Sequence, residues 1–279
     1  MEFIEIIKAI FLGIVEGITE WLPISSTGHM IVFDEFVKLD VSDAFKEMFF
    51  VVIQLGAIAA VPVLFFEKLN PFSSKKSECE KKQCFSLWAK VIVGAVPAAI
   101  IGFLLDDFFE AHFYNYQVVA TALIAYGVIF IFVEGRNANR EFRVKDVHDL
   151  SYKDALIIGS FQVLSLIPGT SRSGSTILGG MLTGISRAAA AEFSFFMAIP
   201  IMLGASGLKI LKFIAAGFVA TGAEIALLLI GIVVSFLVSL FAIKFLMEFV
   251  KKHSFAPFGV YRIVLGAFVL GFFLIRNLA

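Results

Sequence analysis

Charge is what this 279-residue chain has least of. Only 16% of its residues are Asp, Glu, Lys or Arg, against about a quarter in a soluble domain, and 23 basic residues balance 23 acidic ones to a formal net charge of zero. The scarcity excludes a water-soluble globular domain, and the balance excludes the basic surface that nucleic acid needs. Cysteine is nearly absent. Cys79 and Cys84 are the only two, in a Lys-rich connection expected to be cytoplasmic, where a reduced pair without metal or disulfide role is the simplest reading. The N-terminal "MEFIEIIKAIFLG" lacks both a basic leader and a small-residue cleavage site, so it is read as part of the mature fold.

What is there is apolar surface: 59% hydrophobic residues, 33 of them phenylalanine, and a mean hydropathy of +0.92. Such a chain is an integral membrane protein, one domain over 1–279. Six stretches, 44–66, 87–105, 117–134, 189–212, 222–246 and 257–275, reach the length of about 20 residues that a helix needs to cross a bilayer. Residues 6–33 and 153–183 do not read as clean spans, because "LPISSTGH" and "IPGTSRSGST" break them with Pro, Gly and hydroxyl residues. Backbone freed in this way survives at membrane depth only when buried in protein or facing a wet cavity. The phenylalanines are read as core and lipid-facing packing, and the run Gly204 to Gly207 as close helix packing, within one chain or across a homodimer alike.

Orientation follows the Lys/Arg bias. Lys68, Lys75, Lys76, Lys81, Lys82 and Lys90 mark one connection, and Arg136, Arg140, Arg143, Lys145 and Lys153 another; both are expected in the cytoplasm. "DDFFEAHFYNY" has no Lys or Arg and "FDEFVKLDVSDAFKE" is net acidic, so both are expected outside.

The two broken segments also resemble each other. Gly13, Glu16 and Pro23 stand opposite Gly159, Gln162 and Pro168, and Glu47 and Phe50 opposite Glu192 and Phe195, all about 145 residues apart. The expected fold is therefore all-α and polytopic: two repeats (about 1–135 and 153–279) and six transmembrane helices. Two broken, re-entrant helix pairs meet near the midplane. Three crossings between the broken segments would invert the second repeat, and inverted repeats place their half-helix ends together at mid-membrane.

Glu16 and Glu20, spaced i, i+4, put two carboxylates on one helix face about 6 Å apart. In an apolar segment such a pair must share a proton, face water or hold a cation, and hard divalent ions such as Mg²⁺ or Ca²⁺ take oxygen ligands of this kind. The bland alternative is an interfacial helix with solvated glutamates. Ser25, Ser26 and Thr27 after Pro23, and Ser171, Ser173 and Thr176 after Pro168, can cap helix starts, where free N–H groups bind anions. Arg172 among those hydroxyls suits phosphate oxygens by its planar fork; its bland alternative is snorkelling to an interface. His29 is a candidate nucleophile, general acid or base, or else a neutral interior histidine. The attacking group is left open among Ser26, His29 and water; Ser26 activated by His29, three residues on, is one such arrangement. Gln54, Gln162, Glu47 and Glu192 are read as structural, and His112, His148 and His253 as solvated.

In "GIVEGITEWLPISSTGHM" and "PGTSRSGSTI" the chain closely resembles the bacterial undecaprenyl pyrophosphate phosphatase family of the bacitracin-resistance type. The likeness extends through "QLGAIAAV", "RAAAAEFSFFMAIP" and "FGVYRIVLG". It implies hydrolysis of undecaprenyl pyrophosphate to undecaprenyl phosphate and phosphate, returning the carrier lipid to cell-wall synthesis. It also implies a divalent cation, the bacterial inner membrane, a site facing outward, and bacitracin competing for the substrate rather than binding the protein. By position, Glu16 and Glu20 would serve the metal or water, Ser25, Ser26, Thr27 and His29 the chemistry, and Arg172 with Ser171, Ser173 and Thr176 the pyrophosphate. The rival class is a transporter or flippase for a polyprenyl phosphate or another anion, because broken helices at the midplane also build transporters.

Overall fold

The computed structural model describes residues 2–137 and 140–278, so the expected end of the second repeat at Ala279 lies outside the described residues. Among the described residues there are twelve α-helices and no β-strand. Six segments are long and apolar enough to cross a membrane: Asp43–Leu64, Glu78–Leu105, Tyr116–Asn137, Arg187–Ala215, Gly222–Lys252 and Ala256–Arg276. They coincide with the six stretches expected from hydropathy.

The differences lie at the ends, where capping outruns hydropathy. The first span divides at Ile53 into α3 (Asp43–Val52) and α4 (Gln54–Leu64), and a single turn, α5 (Phe66–Leu69), follows. The next helix, α6 (Glu78–Phe113), starts well before residue 87, because the Ser77 side chain and Glu80 close a reciprocal capping box in water. Cys79 and Cys84 therefore sit in the first turns of a helix rather than in a loop. Both are free thiols, and Cys84 Sγ donates to the Lys68 carbonyl at 3.1 Å. The other spans are α7 (Tyr116–Asn137), α10 (Arg187–Ala215), α11 (Gly222–Lys252) and α12 (Ala256–Leu278).

Residues 6–33 form α1 (Phe3–Thr19) and α2 (Ser26–Phe36), while 153–183 form α8 (Tyr152–Val163) and α9 (Arg172–Leu182). Pro23 and Pro168 fall in the breaks, where a missing N–H costs no helical bond. Two of these helices pack on long spans by close backbone contact. A Cβ on Gly159 of α8 would lie 2.0 Å from the Gly94 carbonyl oxygen of α6, and one on Gly17 of α1 would lie 2.8 Å from that of Ser235 in α11. Only glycine permits either approach.

The core is aromatic and aliphatic: Trp21, Phe130, Phe193, Phe195, Phe196 and Phe255 are buried. Large apolar side chains such as Phe103, Phe241 and Val264 are exposed, as a bilayer-facing surface requires. Several charges outside the helix breaks are paired. Arg187 binds Glu134, Arg143 Nη2 reaches Asp154 at 2.5 Å, Lys68 Nζ reaches Glu192 at 2.7 Å, and Lys209 Nζ meets Glu47 at 3.2 Å. Of the two glutamates read as structural, Glu192 is buried in its ion pair and Glu47 is exposed in its own.

Candidate active site

Each break ends on a serine in the same unusual conformation. Ser25 (φ 74°) caps α2 and Ser171 (φ 70°) caps α9; these are the only non-glycine residues with positive φ among those described. Each serine Oγ accepts a hydrogen bond, at 3.2 Å, from the amide of a glycine three residues on, Gly28 or Gly174. Positive φ at an L-residue costs about 1–3 kcal/mol and persists only where the surroundings enforce it, commonly at functional sites. The turn leaves the first N–H groups of α2 and α9 without intrahelical acceptors, the arrangement that favours an anion.

Glu16 and Glu20 are both buried beside these helix starts. Arg172 Nη2 donates to Glu20 Oε1 at 2.9 Å, and Nη1 donates to the Ser194 carbonyl at 2.9 Å and to Ser194 Oγ at 3.1 Å. Its guanidinium carbon lies 5.6 Å from the centre of the Trp21 ring. A snorkelling arginine would reach water; Arg172 is instead turned inward and clamped, joining α9 to the end of α1. Glu16 behaves differently, since its buried Oε1 has no hydrogen-bond partner. Two buried carboxyl groups facing one guanidinium must share a proton, meet water or hold a cation.

Ser26 Oγ donates to Glu20 Oε2 at 2.8 Å. The Ser26–His29 pairing is therefore not the one the structure adopts. His29 lies one helical turn past Ser25, so its ring folds back along α2: Nδ1 donates to the Ser25 carbonyl at 2.8 Å. That bond sets the neutral tautomer, leaving Nε2 to accept from the Tyr261 hydroxyl at 2.7 Å. The two rings are nearly parallel, with an interplanar angle of 6°.

The remaining hydroxyls divide. Ser26, Thr27 and Ser171 are partly exposed at the helix starts. Ser173 and Thr176 are fully buried. Ser173 Oγ reaches the Glu20 and Leu22 carbonyls at 3.2 and 3.3 Å, and Thr176 Oγ1 lies 2.7 Å from Ser194 Oγ and 2.9 Å from the Arg172 carbonyl. Those two hydroxyls brace the breaks and Arg172 rather than presenting themselves to a ligand.

Sequence reasoning passed over four residues here: Trp21, Ser194, Tyr261 and Arg262. Arg262 is completely buried in α12 and donates to carbonyls of both breaks, Pro23 at 3.1 Å, Gly169 at 2.7 Å and Thr170 at 2.9 Å. A signal did exist, because a lone arginine within an apolar span is costly unless it has buried partners. Ser194, Trp21 and Tyr261 gave no comparable signal.

The donor set fits a divalent cation. Glu16 supplies an orphaned buried oxygen, Glu20 is its neighbour one turn on, and both are hard oxygen donors. Among the described residues no group of three or more His, Cys, Asp or Glu side chains gathers, so the protein would supply two carboxylates. That number suits an ion shared with phosphate oxygens.

Six apolar spans around two broken helix pairs, with a buried arginine, two carboxylates and a histidine at the breaks, define a multi-pass membrane protein with an ionic site inside it. The chain belongs to the family of the bacitracin resistance protein BacA, whose model matches residues 9–268. It is 61% identical over 272 residues to an undecaprenyl-diphosphatase of Enterococcus faecalis, covering 97% of this chain and 98% of that relative. It is also 56% identical, over 279 residues in each case, to undecaprenyl-diphosphatases of Desulfitobacterium hafniense and Streptococcus mutans, covering 100% of this chain and 99% of each relative.

Proposed function

We propose that this chain is a membrane phosphatase that hydrolyses undecaprenyl pyrophosphate to undecaprenyl phosphate and inorganic phosphate, recycling the lipid carrier of cell-wall synthesis. The observation that carries the residue assignment is the Arg172–Glu20–Ser26 chain of hydrogen bonds at two facing helix starts. The pyrophosphate lies between those starts, its charge met by Arg172 and by the free N–H groups of α2 and α9, with Ser25, Thr27 and Ser171 as further polar contacts. Ser26 Oγ attacks the terminal phosphorus while its proton passes to Glu20 Oε2. The bond to the bridging oxygen breaks, and undecaprenyl phosphate leaves. Water then releases phosphate from the seryl oxygen. His29, whose tautomer is held by Ser25 and Tyr261, moves protons in the second step through Nε2. Ser173 and Thr176 act as positioning residues through the breaks and Arg172.

Glu16, whose Oε1 has no partner, would hold Mg²⁺ or Ca²⁺, with Glu20 adding only the lone pairs that Arg172 and Ser26 leave free. Such an ion would offset charge on the carboxylates and the phosphate oxygens.

The architecture is read as two inverted repeats with re-entrant pairs α1–α2 and α8–α9. In support, α1 packs on α11 and α8 packs on α6, so each broken helix lies against a span of the other half. The matched cap geometry of Ser25 and Ser171 points the same way. The chain is placed in the bacterial inner membrane with the α1–α2 pair open to the outer face, and bacitracin acts by competing for the pyrophosphate lipid.

The test is phosphate release from undecaprenyl pyrophosphate by purified protein in neutral detergent, with and without Mg²⁺ or Ca²⁺, for wild type, Glu20→Gln, His29→Ala and Arg172→Ala. Metal-dependent release that all three changes abolish supports the assignment. Folded wild-type protein that releases none sinks it in favour of a transporter. Rapid acid quench with substrate labelled at the terminal phosphate should trap label on Ser26; label on a histidine overturns the nucleophile.

A further inference from the structure

Away from the helix breaks, a cleft of about 410 Å³ opens where the spans end on the side of the Lys- and Arg-rich connections. Four lysines line it: Lys68 after α4, Lys145 in the connection before α8, and Lys244 and Lys251 in the last turns of α11. Lys68 is already held by Glu192. Lys145, Lys244 and Lys251 are exposed and have no ion-pair or hydrogen-bond partner for their ammonium groups among the described residues. The lining also includes three carboxylates. Glu192 is committed to Lys68, while Asp146 accepts from the amide of His148 at 2.9 Å and keeps its charge, so Asp146 and Glu248 face three unpaired cations and the lining is net positive by one.

The rest of the cleft is not polar. Phe65, Ile243 and Met247 form its wall toward the spans, and beside Lys244 the α11 surface continues into the bilayer-facing side chains Phe241 and Phe245, 75% and 55% exposed. Unpaired ammonium groups over an apolar wall, at the level where spans meet water, match a phosphate headgroup whose acyl chains continue along α11. A free anion would have no use for that wall. We infer that this cleft binds the headgroup of an anionic membrane phospholipid, with Lys145, Lys244 and Lys251 as its phosphate contacts. No residue of the candidate active site lines it, so the inference stands apart from the proposed phosphatase reading.

The test uses the full-length protein in a neutral detergent, with lipid adducts counted by native mass spectrometry as phosphatidylglycerol or phosphatidylcholine is titrated in. Wild type should retain phosphatidylglycerol and not phosphatidylcholine. Lys244→Gln/Lys251→Gln should weaken that retention about thirty-fold, about five-fold for each lysine near an anionic headgroup, while Lys75→Gln/Lys76→Gln, outside the cleft, should leave it unchanged. Bound phosphatidylglycerol should raise the thermal transition of wild type and not that of the cleft variant. Undiminished retention by the cleft variant overturns the inference; so does displacement of the lipid by millimolar inorganic phosphate, which makes this a free-anion site. Phosphate release in lipid-free detergent should be the same in the cleft variant as in wild type, so failure of this site and failure of the phosphatase are read separately.

Discussion

Replacing Arg172 by methionine keeps bulk and removes a charge that three bonds hold in place. Those bonds are Nη2 to Glu20 Oε1 at 2.9 Å and Nη1 to the Ser194 carbonyl and hydroxyl at 2.9 and 3.1 Å. The side chains of Arg172 and Glu20 are only 10% and 5% exposed, so Glu20 would be left as a buried carboxylate beside the already unpartnered Glu16 Oε1. Removing one member of such a buried pair costs about 3–5 kcal/mol, whereas removing both is close to neutral. Arg172→Met should therefore be destabilised by about that amount, and Glu20→Gln/Arg172→Met should recover about 2 kcal/mol or more of it. Activity should behave differently. An arginine that neutralises a transferred phosphoryl group is worth about 10³–10⁵ in rate, so both variants should be inactive, including the one whose stability returns. Denaturant unfolding in detergent, run beside phosphate release on the same preparations, separates the two effects. A double variant no more stable than the single one would refute the buried-pair reasoning, and an Arg172→Met rate within about ten-fold of wild type would refute the role at phosphate.

Three further outcomes are expected. Tyr261→Phe removes the donor to His29 Nε2, a bond worth about 0.5–1.5 kcal/mol, and should lower kcat about 2- to 10-fold with KM little changed, against a far larger loss in His29→Ala; steady-state kinetics in detergent checks it. Gly159→Ala drives a Cβ to 2.0 Å from the Gly94 carbonyl oxygen and should cost about 1–3 kcal/mol or more, visible as a lowered thermal transition. At the water-facing start of α8, burial raises the Asp154 carboxyl, but hydrogen bonds from Arg143 and Ser151 outweigh it and hold the group below its ordinary value. Its stabilisation is then full at neutral pH and is lost as pH falls below the ordinary carboxyl value of 3.8, so wild type should progressively lose its stability advantage over Asp154→Asn on acidification; a constant gap contradicts this.

Hydropathy alone located the six spans, because a bilayer demands about 20 apolar residues per crossing and tolerates few charges. Local chemistry located the breaks, since Pro23 and Pro168 are each followed by a run of hydroxyl and glycine residues that favours caps and turns, whereas Pro62, Pro97 and Pro200, in apolar runs, stay within helices. It also singled out Glu16, Glu20, Ser26, His29 and Arg172, since polar groups in apolar segments need a purpose. Pairing was another matter. Spacing along α2 suggested His29 for Ser26, yet the i, i+4 fold-back of His29 onto Ser25 turns its ring toward α12, and Glu20 takes Ser26 from across the break. Arg172 meets Glu20 from 152 positions away, Ser194 holds Arg172 from α10, and Arg262 gathers the carbonyls of both breaks from α12. A sequence specifies which groups must be buried, because burial depends on local polarity and period. Which buried groups satisfy one another depends on distances between helices, and those exist only once the helices have packed.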